Sequence, residues 1–210
     1  MQSIIGISFV ILLFAFGCND DYYAGGGVLD DSVGELGVST MEYLKANTAQ
    51  FDTLVSLIEI CGLEDEVNAS GNTFMAPRDY SIHNYFELIF ADLDEWPATL
   101  NDIDADEIAK ISVILHNYIL PNQEILREDL STQYSYATTL TGKSARFNLV
   151  QDDYLGNVNQ GTLLIVFSLD VSEVGNETHY QSVSVVASNL RSTNGVIHVL
   201  DSDTHIFGFN

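Results

Sequence analysis

Positive charge is what this 210-residue chain has least of: 7 lysines and arginines stand against 30 aspartates and glutamates, a formal charge of -23 at pH 7. Such a surface repels phosphate backbones, which excludes nucleic-acid binding. It repels anionic lipid headgroups as well, so any membrane association needs a covalent anchor or a partner protein. Cysteine is nearly as scarce, with two in the whole chain. The chain also lacks a Gly-x-Ser-x-Gly elbow, a phosphate-binding P-loop, a dinucleotide fingerprint and a His-Glu-x-x-His pair, so neither catalysis nor a cofactor is expected. The apolar run Ile4 to Phe16 is 13 residues long, short of the roughly 20 a spanning helix needs. What the chain does have is apolar material. Hydrophobic residues make up 46% and aromatics 10%, enough to exclude global disorder and to fill the core of one domain.

The apolar run has the length of a signal-peptide core and ends abruptly at Gly17-Cys18-Asn19-Asp20-Asp21. Ala15-Phe16-Gly17-Cys18 resembles a bacterial lipobox, in which the cysteine thiol takes a diacylglycerol and becomes the mature N-terminus. That resemblance implies a signal peptide over 1–17 and a lipid anchor on Cys18. Asn19 after the cysteine implies the outer membrane rather than the inner one, and Asp20-Asp21 resembles short export signals that carry lipoproteins to the cell surface. Residues 18–36, with Gly25-Gly26-Gly27 and few large apolar side chains, read as the lipidated N-terminus and a flexible tether. With Cys18 lipidated, Cys61 has no disulfide partner and is expected to be a small buried residue.

The folded domain is expected over 37–210. Ser39-Thr40-Met41-Glu42 predicts a capping box opening a short helix. Asn47 or Thr48 is expected to cap a second helix, whose Phe51, Leu54, Val55, Ile58 and Cys61 share a face and whose stop is Gly62. Thr73 to Ala76 predicts a strand ended by Pro77, with Asp79 capping an amphipathic helix from Tyr80 to Phe90. A capping box at Asp104 to Glu107 starts a helix presenting Ile108, Ile111, Leu115 and Tyr118. Beyond Pro121 the pattern turns to strands: 145–150, 162–174, 182–190 and 196–200, with Asn194-Gly195 a hairpin signal. Helices first and strands afterwards predict an α+β domain.

Two segments resemble the signature motifs of the fasciclin-like domain: Thr73-Phe74-Met75-Ala76-Pro77-Arg78-Asp79-Tyr80 and Asn194-Gly195-Val196-Ile197-His198-Val199-Leu200-Asp201. Between them Ile114 to Pro121 is similar to the family's Leu-Leu, Tyr-His, Val-Val-Pro stretch. The likeness covers roughly residues 39 to 207. It implies a β-sandwich or wedge of about seven strands flanked by helices, used for adhesion and protein interaction. Two departures, Asn117-Tyr118 for Tyr-His and Asn189-Leu190 for Asp-Ile, weaken what the resemblance implies about integrin-type adhesion.

The candidate partner-binding residues are Arg78, Tyr80, Asn117 and Tyr118, around the signature motifs. Pro77, Asp79, Asn194, Gly195 and His198 are expected to be structural, and no metal site is expected. His198, Asp201, Asp203 and His205 offer zinc-type ligands, but strand alternation would put His198 on the opposite face from the others. Asp102, Asp104 and Asp106 alternate as a calcium loop does, yet Glu107 and Val113 occupy positions where that loop needs Gly and Glu. Tyr134-Ser135-Tyr136 can stack on sugar rings, although tyrosines at a strand edge more often pack. The functional expectation is a surface-tethered, non-enzymatic binding module that contacts an outer-membrane or cell-surface protein, such as a nutrient-uptake complex. The alternative is a glycan-binding or adhesion lipoprotein.

Overall fold

The Ser39 capping box closes as its spacing predicts in the computed structural model of the chain, which describes residues 34–151, 162–172 and 177–209. The Glu42 N–H donates to Ser39 Oγ at 3.3 Å, and the Ser39 N–H donates to the Glu42 carboxylate at 2.8 Å. Helix α1 follows over Thr40–Ala46. Cys18, with the signal segment and most of the tether, lies outside the described residues.

Helix α2 spans Thr48–Cys61 and buries Phe51, Leu54, Leu57 and Ile58. Each such side chain withdrawn from water contributes roughly 2 kcal/mol. Asn47 precedes α2 without capping it, because its side-chain amide donates to Tyr43 O instead. Gly62 ends α2 with φ 70°, the left-handed conformation that suits glycine. Cys61 is half-buried, not fully buried as expected, and its thiol points at Ile108 O. A single turn, α3 (Glu64–Val67), leads into β1 (Asn72–Ala76). Then come α4 (Asp79–Ile89), α5 (Ala105–His116) and β2 (Ile119–Leu120). Strands β3 (Ser135–Thr138), β4 (Ser144–Gln151), β5 (Leu163–Asp170), β6 (Tyr180–Arg191) and β7 (Gly195–Leu200) complete the order. Strand β5 stops well before 174 because the Ser172 N–H and hydroxyl both turn back to the Asp170 carboxylate.

These strands form one sheet in the order β2-β1-β7-β6-β5-β4-β3. Neighbours are antiparallel except β1 and β7, which run parallel in the register Asn72↔Gly195 through Ala76↔Val199. The sheet curls into a nearly closed wedge. The Leu140 N–H, beyond β3, donates to Ile119 O of β2 at 2.8 Å. The Gln123 amide both donates to Thr138 O and accepts from its N–H, so one side chain stands in for a strand at the β3 edge. The chain enters the domain at Glu35 and Leu36, which pair with Arg191 at the end of β6.

Candidate interaction surface

The parallel pairing of β1 and β7 brings together two segments more than a hundred residues apart and ends both strands at one place. Pro77 closes β1 by removing a ladder donor. Arg78 follows, half-buried, with its guanidinium 3.7 Å from the Asp201 carboxylate at the end of β7. Asp79 does not cap its own helix. It is the first residue of α4, and its carboxylate reaches across to the Thr53 and Leu54 N–H groups of α2 at 3.1 and 3.0 Å. Burial raises the Asp79 carboxyl above its ordinary range, partly offset by those bonds. The strand-to-helix turn is held by Ser81, whose N–H and hydroxyl both donate to Arg78 O.

Of the four candidate contact residues, two reach the surface. Tyr80 is 57% exposed in the first turn of α4 and Leu88 is 53% exposed in its last, with the polar His83, Asn84 and Glu87 on the surface between them. Asn117 and Tyr118 are buried and cannot meet a partner in the folded domain. Asn117 Oδ1 accepts from the Thr141 hydroxyl. Tyr118 pins the C-terminal segment: its oxygen accepts from the Gly208 N–H and bonds His205 Nε2, each at 2.8 Å, while its ring stacks on Phe207 and Phe209. With the Gly208 N–H donating to it, the phenol oxygen still carries its own proton, which a neutral imidazole can accept at Nε2. Burial accordingly lowers His205 to about 4, against a weaker raising pull from Asp201.

His198 is fully buried in β7. Its Nε2 donates to Ile125 O at 2.7 Å and its Nδ1 accepts from the Asn189 N–H at 3.4 Å, satisfying both ring nitrogens. Asn189 itself is a hub that sequence reasoning passed over. At φ 57° in the bulged part of β6, it accepts from the Arg127 N–H and donates to Glu128 through its side chain. An asparagine inside a strand-forming run, a residue type enriched at positive φ, is the local signal that could have marked it. The hairpin at Asn194-Gly195 exists but is built differently from the signal. Its loop is Ser192 to Asn194, and Gly195 is the first residue of β7 without positive φ. Glycine is needed there because a Cβ would stand 2.2 Å from Asn72 O. The Asn194 side chain accepts from the Thr40 N–H, tying α1 to the hairpin.

Strand β7 ends at Leu200, so the alternation expected through His205 does not continue. Asp201 instead closes a turn on the Asp203 N–H and the Thr204 hydroxyl. Among the described residues no three His, Cys, Asp or Glu side chains are grouped to hold a metal ion. The aspartates before α5 have local tasks: Thr99 and Asp102 bond reciprocally, and Asp104 accepts from the Asp106 N–H. Glu107 completes no capping box, because its carboxylate binds the Tyr85 hydroxyl and Lys110. Burial raises that carboxyl, and the two partners outweigh burial to leave it lowered. Beside it, a cleft of about 500 Å³ is bounded by Phe90, Leu93, Trp96, Asp106 and Lys110.

A curled seven-stranded sheet covered by helices, with its signature residues spent on packing and turns, defines an α+β binding scaffold. Residues 49–202 match the family described as Fasciclin domain, and the chain belongs to that family. Members of the family are non-catalytic adhesion and binding modules. A FAS1 domain pair from the insect cell adhesion molecule Fasciclin I resembles the chain with a TM-score of 0.47 and 15% identity, over 76% of this chain and 45% of that one. The chain thus spans less than half the length of that structure. No curated protein sequence matches the chain. Among the described residues no helix is long and apolar enough to cross a membrane.

Proposed function

We propose that this fasciclin domain is a surface-tethered docking module, held to the outer membrane by a lipid on Cys18 and contacting another envelope protein through α4. The observation that carries the contact is the exposure of large apolar side chains at both ends of α4, Tyr80 just after the signature turn and Leu88 with Leu93 and Trp96 at the far end. Exposed apolar groups of this size mark an interaction surface where they gather, as Leu88, Leu93 and Trp96 do in sequence at the end of α4. The cleft at the end of the same helix, with Trp96 beside Asp106, supplies an acidic rim for a basic side chain of the partner. The field of a chain with a formal charge of -23 speeds encounter with basic patches, while the short-range contacts select among them. An outer-membrane nutrient-uptake complex fits as partner, since an accessory lipoprotein needs an anchor and a docking face but no chemistry of its own.

Two experiments separate anchor from contact. Cys18→Ala releases the protein from membranes, and wild-type protein incorporates a fatty-acid analogue; no label on the wild type rejects the anchor. Tyr80→Ala and Leu88→Ala, combined in protein that still folds, abolish co-purification of the envelope partner in mild detergent at high salt. Undiminished recovery removes α4 from the interface.

A further inference from the structure

The outward face of β3 to β6 carries chemistry that the docking reading leaves unused. Arg146 on β4 projects its guanidinium between two tyrosine rings, 4.1 Å from the centre of Tyr134 and 4.0 Å from that of Tyr180. Tyr180 is steadied by a 3.0 Å bond between its hydroxyl and Ser144 Oγ. Arg146 faces Tyr136 on β3 and Ser168 on β5 in register, and Tyr136 is 65% exposed. Ser168 and Ser182 bond each other beside it at 2.8 Å.

Charge bookkeeping singles this face out. Of the seven basic residues, Lys45, Arg78, Lys110 and Arg191 sit in ion pairs with carboxylates, and Arg127 donates to Leu163 O. Lys143 and Arg146 remain, three residues apart, and neither makes an ion pair among the described residues. Asp170, two residues on from Ser168 on the same face, is held low chiefly by its bonds from Ser172 and more weakly by the charge of Lys143. Arg146 Nε is buried with no hydrogen-bond partner. A guanidinium desolvated between two rings and denied a carboxylate is poised for an incoming anion. In so acidic a protein, that local positive spot is the exception.

We propose that this face is a subsite for a sugar bearing a carboxylate, with the pyranose ring lying on Tyr136 and the carboxylate meeting the Nη groups of Arg146. An aromatic face matches the C–H face of a sugar, and a guanidinium fork matches a carboxylate. The surrounding negative field disfavours polyanions, so a sparsely charged glycan fits better than a polyuronate. The subsite lies on other residues than the α4 docking surface and stands or falls separately from it.

Calorimetric titration of the purified full-length protein tests this with a glucuronate-terminated disaccharide, 3′-sialyllactose, the methyl ester of each and a diglutamate peptide. At least one of the two acidic sugars binds, and the tighter one names the source of the carboxylate. Its neutral counterpart binds about tenfold more weakly or worse, the factor expected for one lost charge-assisted hydrogen bond. Arg146→Gln and Tyr136→Ala each lose about tenfold, and Lys143→Gln loses a smaller factor from its lone charge. Tyr136 is so exposed that its variant keeps the fold, and it decides the matter if Arg146→Gln does not fold. No binding of either acidic sugar at millimolar concentration overturns the proposal. Equal affinity for the neutral counterpart, equal affinity for diglutamate, or full affinity in folded Tyr136→Ala overturns it as well.

Discussion

The two ends of the sheet use their strands differently. In β1 and β7 every residue is buried, because helices cover one face and the curled sheet the other. In β3 and β4 burial alternates or lapses, so that Ala137, Ala145 and Phe147 point inward while Tyr136, Arg146 and Val150 face out. Both signature motifs fall in the closed end. Their side chains are consumed there: His198 by Ile125 and Asn189, Asp79 by α2, and Gly195 by the approach of Asn72. Apart from Tyr80, which the first motif hands on to α4 in an exposed position, the segments that identify the family are therefore the ones with least left over for a ligand. Selectivity has to be sought on α4 and on the open sheet face.

The largest expected effect breaks the closed end. In Gly195→Ala, a methyl group 2.2 Å from a backbone oxygen must push β1 away from β7. The loss is expected to be roughly 4 kcal/mol or more, or no folded protein at all. Gly142→Ala, between β3 and β4, meets nothing within 4 Å and bears only the strain of φ +84°, about 1 kcal/mol. Thermal melting of the two variants compares the ends directly. Equal losses would mean that the two ends are alike in tolerance.

Next comes the buried pair at the base of the closed end. His205 is lowered from 6.5 to about 4 by burial, so between those values the unfolded chain binds a proton that the native state refuses. Stability is complete above pH 6.5, falls as pH drops through the window, and levels off below about 4. The slope is about 1.4 kcal/mol per pH unit, and the whole loss roughly 3 kcal/mol. Denaturant titrations at several pH values, taken as the difference between wild type and His205→Phe, cancel the carboxylates and isolate this slope. A difference that does not vary with pH would show that His205 is not neutral and buried in solution. Smaller again are Tyr118→Phe and His198→Ala. The first leaves His205 Nε2 and the Gly208 N–H without their partner, the second leaves Ile125 O and the Asn189 N–H. Each is expected to cost roughly 1 to 3 kcal/mol.

Several local signals in the sequence were sound. Ser39 with Glu42 and Gly62 at the end of α2 act within a few residues, and β1 and α4 fell where Pro77 divides them. Two misreadings are local, Asn47 bonding Tyr43 O and Ser172 turning back to Asp170, while the larger ones come from a partner distant in sequence. Asp79 sits where a cap belongs, but α2 passes close enough to take its carboxylate. Asn194-Gly195 carries the composition of a two-residue turn, while the constraint comes from Asn72. Tyr118 follows a helix and reads equally well as surface or core until the C-terminal segment is seen to wrap over it. β2 has two residues and exists only through its pairing with β1, which no periodicity can reveal. The Arg146 stack draws its rings from positions 134 and 180, so the Tyr134-Ser135-Tyr136 motif announced the aromatics but not the cation between them.

The smallest expected effect belongs to the open end and is the most informative about function. Tyr136→Ala and Val186→Ser alter side chains that are 65% and 52% exposed on the outward face. Neither makes a buried contact whose loss leaves a cavity, so each is expected to change stability by no more than about 0.5 kcal/mol. Together they leave the melting temperature of the domain within a degree or two, since about 1 kcal/mol shifts a domain of this size by only a few degrees. A bare, well-tolerated face is what separates an available surface from a packed one. If either substitution costs as much as Tyr118→Phe, the outward face is covered in solution, and the contrast between the two ends fails on thermodynamic grounds before any ligand is tried. If both are silent in melting, a loss of binding in Tyr136→Ala reports a missing contact and not a damaged fold.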